Sequence, residues 1–221
     1  MEGSTMQVIG MFDSPFVRRV AISLAILELP FDHCNWSVGK DFEKIQRYNP
    51  LGRVPTLVLP DGTALLDSAA ILDYIDELAG PERALLPRAG RERRDALRII
   101  AIAVGAAEKG VLQIYETVFR PADKRHEPWV ERCRQQMHAA LAELERGCFT
   151  CPAGGWIAGP RFTQADITVT CVVTFLCGAL GLHSQASVYP SLFASAGRCE
   201  ALPAFQLVRA AFSAPEPRPL P

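Results

Sequence analysis

The chain lacks any apolar run long enough to cross a bilayer. Its two longest, residues 99–107 (IIAIAVGAA) and 167–182 (ITVTCVVTFLCGALGL), fall short of the roughly 20 residues a spanning helix needs and read instead as buried helices. An excess of either charge is also missing: 23 Lys and Arg stand against 24 Asp and Glu, a formal net charge of −1. That balance gives no general attraction to nucleic acid or to an anionic membrane surface, and neither is expected as a partner. The opening MEGSTMQVIG has no basic stretch leading into an apolar one, so it does not read as a secretory signal; Met6 marks what precedes it as a short tail or a cloning remnant. The seven cysteines are odd in number and follow no framework spacing, which fits a reducing cytoplasm better than a disulfide-stapled secreted fold. Cys148 and Cys151 in GCFTC do have the C-x-x-C spacing. They stand in a Gly/Pro-bounded loop without a second pair or a strand-to-helix setting, which weakens a metal or redox role without removing it. The four histidines, His33, His126, His138 and His183, share no ligand spacing, and no metal is expected.

What is present is enough to build a core. Hydrophobic residues make up 49% of the 221 positions and charged residues 21%, which suits two small globular domains or one large one. The first eighty residues alternate strand and helix signals. A short β-rich run, QVIGMF, precedes a helix with Val17, Val20, Ala21, Leu24 and Leu27 on one face. FDHCNW reads as a second strand, and a more irregular helix is expected over residues 40–48. TLVL and ALL then flank a Pro-Asp-Gly hairpin turn. A third helix carries Ile71, Tyr74, Ile75 and Leu78 and stops at Gly80 and Pro81. The order is β-α-β-α-β-β-α, with the last two strands antiparallel.

Beyond a linker at residues 81–90 every long periodic segment is helical. Helices are predicted over residues 91–119 and 128–146, the second with Pro128 at its first position and Val130, Cys133, Met137, Leu141 and Leu144 as its stripe. A third begins at FTQAD, where Thr163 and Asp166 have capping-box spacing and Phe162 and Ile167 that of a hydrophobic staple. Shorter helices are expected over 189–200 and 203–212. The reading is an α/β domain over 1–80, an all-helical domain over 91–213, and a Pro-rich, disordered tail over 214–221.

Two places look suited to anions. In DSPFVRRVAISLAIL, Ser14 is an N-cap and Pro15 sits where its missing N–H costs nothing. Arg18 and Arg19 oppose the helix dipole at the same end, so either they are solvated or an anion lies nearby. In LDSAAIL, Asp67 or Ser68 caps the next helix, a plain cap or one that also holds a carboxylate on its free N–H groups. Between them Pro55 stands at the mouth of a strand; a cis Val54–Pro55 bond there would leave the Val54 N–H and C=O free for an extended peptide.

SPFVRRVAISL, NPLGRVPTLVL, LLDSAAILDYIDE and FTQADI, in this order and at these separations, resemble a cytosolic glutathione transferase of the serine type, in flavour tau-like or of related bacterial members. The resemblance covers nearly the whole chain. It implies a thioredoxin-like N-terminal domain that binds glutathione, a helical second domain, and a homodimer. It further implies that Ser14 donates its hydroxyl to the glutathione sulfur, that Val54 before cis-Pro55 pairs with the cysteinyl backbone, and that Asp67 and Ser68 take the γ-glutamyl amino group and carboxylate. Lys40 and Arg53 match positions that reach the glycyl carboxylate, and Phe16 lines the site. The electrophile's pocket would draw on Phe12 and on Val111, Tyr115 and Phe119, although a core or interface stripe explains the last three equally well. Where thiol-transferase relatives carry a cysteine nucleophile this chain has a serine, which argues against disulfide reduction. The expected activity is addition of the glutathione thiolate, as co-substrate, to small hydrophobic electrophiles, in the manner of detoxification. The alternative is a non-catalytic glutathione-binding or protein-interaction module on the same fold.

Overall fold

A computed structural model of the chain describes residues 5–149 and 155–216. Its first part runs β1 (Met6–Ile9), α1 (Pro15–Ile26), β2 (Phe31–Cys34), α2 (Phe42–Gln46), β3 (Thr56–Val58), β4 (Ala64–Leu66) and α3 (Ser68–Ala79). The strands form one sheet in the order β2-β1-β3-β4. The α1 crossover brings β2 back parallel to β1, with Met6 beside Phe31 and Ile9 beside Cys34. β3 runs antiparallel to both β1 and β4. Its tight return is closed by Leu59 N–H to Thr63 O at 2.8 Å and turns on Gly62 at φ +88°. This is the β-α-β-α-β-β-α order that the periodicity predicts, and the thioredoxin-like arrangement that the resemblance implies.

The stripe Val17, Val20, Ala21, Leu24 and Leu27 is buried, as its spacing requires, and meets Ile71, Leu72 and Ile75 of α3. Leu78, expected on that face, is exposed, and Leu72 takes its place, because the buried face of α3 is rotated toward α1. The strands are shorter than the apolar runs suggest: β1 ends at Ile9 because Gly10, at φ +130°, turns the chain away from the sheet.

The second part is helical: α4 (Gly90–Val118), α5 (Glu127–Phe149), α6 (Gln164–Leu180), α7 (Pro190–Glu200) and α8 (Pro203–Leu207). α6 is the central helix, buried along nearly its whole length, and opens on a complete Thr163/Asp166 capping box. Small residues on α4 let it approach closely; a Cβ on Gly110 would lie 2.5 Å from Leu176 Cδ2. Ile167 and Cys171 of α6 and Phe205 of α8 belong to the same core cluster as the α1 stripe, so the first part completes its core with the second.

Several helix ends differ from expectation, by one residue at either end of α4 and by more in α2, at the end of α5 and in α8. α5 starts one residue earlier than Pro128, and α8 stops at Leu207 rather than continuing to 212. Beyond Val208 the chain has no regular secondary structure, and it packs as it goes. The Phe212 ring meets Phe175 edge to face at 5.9 Å, Ser213 N–H donates to Asp13 Oδ2 at 2.9 Å, and Glu216 pairs with Lys40 at 2.9 Å. Of the tail expected to be disordered, Ala214 to Glu216 is therefore placed, and 217–221 lies outside the described residues. Among the described residues no helix is long and apolar enough to cross a membrane.

Candidate functional site

The site is built where β1, β3 and β4 give way to loops and helices. Continued two residues past the strand ends, the β1/β3 and β3/β4 registers would put Val54 in a row with Met11 on one side and Ser68 on the other. Close packing supports that row: a Cβ on Gly10 would meet Val54 Cβ at 2.8 Å and Val17 Cγ2 at 2.6 Å, so only glycine lets the loop fit. Val17 belongs to the first turn of α1, directly after Ser14. The Gly10 contacts set Val54 against the first turn of α1, which Ser14 caps, and Arg19 of the same helix donates to Ser68, so residues 14, 54 and 68 stand at neighbouring ends of α1, β3 and α3.

Ser14 caps α1 with extended backbone (φ −69°, ψ 125°), and its Oγ accepts the Val17 N–H at a long 3.5 Å. That contact uses only an acceptor lone pair, so the Ser14 proton is still available to donate, at the positive end of a helix dipole. The Val54–Pro55 bond is cis. Val54 makes no hydrogen bond to another described residue, while Asn49 shapes the loop ahead of it, donating to Arg53 O at 2.8 Å and accepting from Leu51 N–H at 3.0 Å. Of the two candidate caps on α3, Asp67 is the one: its Oδ1 accepts the Ala69 N–H at 2.8 Å. Ser68 is then the first helical residue, with its N–H unpaired and its side chain 4% exposed.

The two arginines of the opening helix are neither solvated nor alike. Arg18 is buried and spans to the far end of the chain, donating to Glu200 Oε1 and Oε2 at 2.5 and 2.8 Å and to the carbonyls of Phe205 and Val208. It is a structural tie, and Glu200 cancels its charge. Arg19, 3% exposed, donates to Ser68 Oγ at 2.6 Å and Thr168 Oγ1 at 3.4 Å, and its Nε has no partner. Burial pushes its pKa down to about 10, with Cys171 and Asp67 pulling it partly back; it remains a cation at neutral pH.

The other expected residues spread around this edge. Phe16 is half-buried against the helical core, as is Val111. Tyr115 and Phe119 are exposed and stack edge to face at 4.9 Å. Burial raises the Tyr115 phenol, and the charge of Arg53, reaching it across the space between the two parts, lowers it somewhat. Arg53 itself is exposed, and Lys40 is exposed and paired with Glu216. Phe12 stacks on His33 with ring centres 3.6 Å apart, beside an open cavity of about 210 Å³ that Ala210 and Ala211 also line. The His33 Nε2 lies 2.7 Å from Gly10 O and must donate there, since a carbonyl only accepts.

Sequence reasoning missed three contributors: His33, Asn49, and the segment after Val208 that reaches Asp13. Burial raises the Asp13 carboxyl while the Ser213 N–H lowers it. Only Asn49 left a signal, the Asn-Pro turn before Gly52. Among the described residues no group of His, Cys, Asp or Glu is placed to hold a metal. Burial raises the Cys171 and Cys199 thiols to about 12 and about 11, which leaves them inert as nucleophiles. Cys148 lies in the last turn of α5, and Cys151 lies outside the described residues.

The site therefore offers two helix N-termini, a hydroxyl available to donate, a bare peptide edge and a buried cation, an arrangement suited to an extended, anionic peptide. Residues 8–83 match the glutathione S-transferase N-terminal domain and residues 127–194 its C-terminal domain. The uncharacterized GST-like protein YibF of Escherichia coli is 31% identical over 171 residues, covering 77% of this chain and 82% of its own. A probable maleylacetoacetate isomerase of Vibrio cholerae is 30% identical over 220 residues, 95% of each. A glutathione S-transferase from Methylobacterium radiotolerans, solved with glutathione sulfonate, superposes with a TM-score of 0.84 at 29% identity, covering 99% of this chain and 98% of that one.

Proposed function

This chain belongs to the glutathione S-transferase family, and from that premise we propose that it binds glutathione along the Ser14, Val54 and Ser68 edge and activates its thiol. The observation that carries the proposal is the convergence of these three residues: a scaffold protein has no need to keep a donating hydroxyl, a bare peptide edge and an unpaired helix N-terminus in one row. Val54 pairs with the cysteinyl backbone beside cis-Pro55. Ser68 takes the γ-glutamyl carboxylate, and Asp67 its ammonium. Lys40 and Arg53 serve the glycyl carboxylate, and Phe16 packs beneath the site.

A free thiol with a pKa near 8.5 is about 3% thiolate at pH 7. Lowering that pKa by about two units corresponds to about 2.7 kcal/mol. The dipole of α1 contributes about 0.3–1 kcal/mol, which is too little alone. A hydrogen bond to the charged sulfur, about 1.5–3 kcal/mol, closes the gap, so the Ser14 hydroxyl is the deciding group. It acts as a donor to the anion; serine is too weak a base to remove the proton, which leaves to solvent.

The acceptor in this reading is a small hydrophobic electrophile reached from Phe12 and from Val111, Tyr115 and Phe119. Residues 1–80 hold glutathione, 81–90 link, and 91–213 shape the electrophile's side. The same reading carries a cytoplasmic homodimer, detected as twice the chain mass on sedimentation. Likeness to the probable isomerase favours a second use of the same thiolate: addition to a conjugated alkene, bond rotation, and release of glutathione unchanged.

Thiolate absorbance of bound glutathione against pH, in the native protein and in Ser14→Ala, tests the proposal. The expected result is a thiolate formed one to two pH units below that of free glutathione, with most of the shift lost in the variant. No shift in the native protein reduces Ser14 to a helix cap and leaves a non-catalytic glutathione-binding or interaction module. Consumption of glutathione on an electrophile panel then separates transfer from isomerisation, which consumes none.

A further inference from the structure

The segment after α8 returns to the α/β part of the chain and is fastened on the way at three points. Phe212 seats on α6 where Gly178 leaves room for it, a Cβ on that glycine falling 2.9 Å from Phe212 Cβ, and its ring meets Phe175 edge to face. The next residue, Ser213, donates its N–H to Asp13 Oδ2 at 2.9 Å, one position before Ser14. Three residues on, the carbonyl of Glu216 crosses Gly39 so closely that a Cβ there would lie 2.2 Å from its oxygen, so only glycine admits the segment. Gly39 is buried, and Lys40 follows it directly.

What this path delivers to the site is a carboxylate. Glu216 Oε1 lies 2.9 Å from Lys40 Nζ, and this contact is the main cause that raises the Lys40 ammonium. The neighbouring acid, Asp41, is held by Lys44 at 2.6 Å and accepts the Ser37 N–H at 3.0 Å, so Glu216 is the acid that answers Lys40. In the functional reading Lys40 serves the glycyl carboxylate of glutathione. One ammonium cannot neutralise two carboxylates, and two carboxylates within hydrogen-bond reach of one Nζ repel each other. The chain thus presents to Lys40 the same chemical group that the ligand brings.

We propose that Glu216 is a built-in competitor for the glycyl carboxylate, an autoinhibitory contact that glutathione must displace from Lys40. The inference rests on the glutathione reading above and adds its regulation. The geometry suits displacement rather than a permanent block. Both side chains are exposed, at 62% and 65%, and an exposed ion pair favours its closed form by at most about fivefold. The anchors at Phe212, Ser213 and Gly39 keep the carboxylate close, so it returns to Lys40 without diffusing in from solution. A cation that is open only for the remaining fraction lowers the apparent affinity by about two- to sixfold.

The test compares glutathione with γ-glutamylcysteinyl-ethylamide, which lacks only the glycyl carboxylate, by calorimetry on the native full chain, Glu216→Gln, Lys40→Gln and the double variant. Glu216→Gln is expected to bind glutathione about two- to sixfold more tightly than the native protein and the analogue no more tightly. In the Lys40→Gln background the Glu216→Gln change is expected to gain nothing. An equal gain for both ligands means that the segment merely covers the edge, and a gain that survives in Lys40→Gln means that Glu216 acts through its general field; either result overturns the proposal, as does no gain at all. Glu216 is exposed, and Glu216→Gln is expected to melt with the native protein, so the comparison carries no folding loss. Failure of the native protein to bind glutathione is a separate outcome, which removes the functional reading and the inference with it, whereas binding without a gain in Glu216→Gln removes the inference alone.

Discussion

Asp67 holds φ +67° and ψ 133°, a conformation that L-residues rarely adopt and that costs about 1–3 kcal/mol. The cost is local, and what it achieves is local too: it turns the chain so that the Asp67 carboxylate caps α3 while staying exposed beside the unpaired Ser68 N–H. Asp67→Asn keeps the capping oxygen and suits positive φ, so its stability is expected to stay within about 0.5 kcal/mol of native by thermal melting. Its affinity for glutathione is expected to fall about tenfold, because the ligand's ammonium loses a charged acceptor. Asp67→Ala loses the cap and adds left-handed strain, about 2 kcal/mol together, and lowers the melting temperature as well. At this scale the sequence is least legible. Arg18 and Arg19 are adjacent, identical and equally buried, yet one ties the chain together and the other backs the site. Only the long-range partners Glu200 and Ser68 tell them apart, and no local pattern announces those.

Helix α6 shows the opposite. Thr163 and Asp166 announce its start in the sequence because a capping box is a contact between residues three apart. The structure adds that Asp166 does more than close the helix. Its Oδ1 accepts the Ile157 N–H at 2.9 Å, its Oδ2 accepts the Thr163 N–H at 2.9 Å, and all three groups are buried. Asp166→Ala removes a cap worth about 1 kcal/mol and leaves a buried N–H unsatisfied at a further 1–3 kcal/mol. A loss of about 3 kcal/mol and a melting temperature lowered by roughly 6–12 °C are expected in calorimetry. Elements whose identity lies in short-range spacing, such as α1, α3 and α5, were legible in the same way. Their exact faces and ends were less so. Leu78 keeps the helical spacing but points outward, and α8 ends at Leu207 even though apolar residues continue to Phe212, because tertiary packing of that segment prevails over its propensity.

Across the whole molecule the switch from alternating to purely helical periodicity made the architecture readable, but the path of the C-terminal segment was not. The Arg18–Glu200 pair belongs to this scale, since it joins the first helix to the end of α7. Burial alone would raise the Glu200 carboxyl; hydrogen bonds from Arg18 and Thr174 outweigh it and hold the carboxyl below its usual range. A depressed folded pKa gives stability that is complete above the unfolded value, about 4.3 for glutamate, and is lost as pH falls through the folded one. Glu200→Gln is therefore expected to lose about 2 kcal/mol at pH 7 in denaturant titrations, and the gap to the native protein is expected to narrow as pH drops below about 4.

The tie made by Arg18 also limits how this protein can be recombined. Its guanidinium leaves the first part of the chain and finds its acid and both its carbonyls between Glu200 and Val208. A chimera that joins residues 5–80 to another relative's helical half brings in a buried cation whose partners stay behind. Such a graft has to carry residues 200–208 with it or replace Arg18, so the unit of exchange is the two ends of the chain taken together.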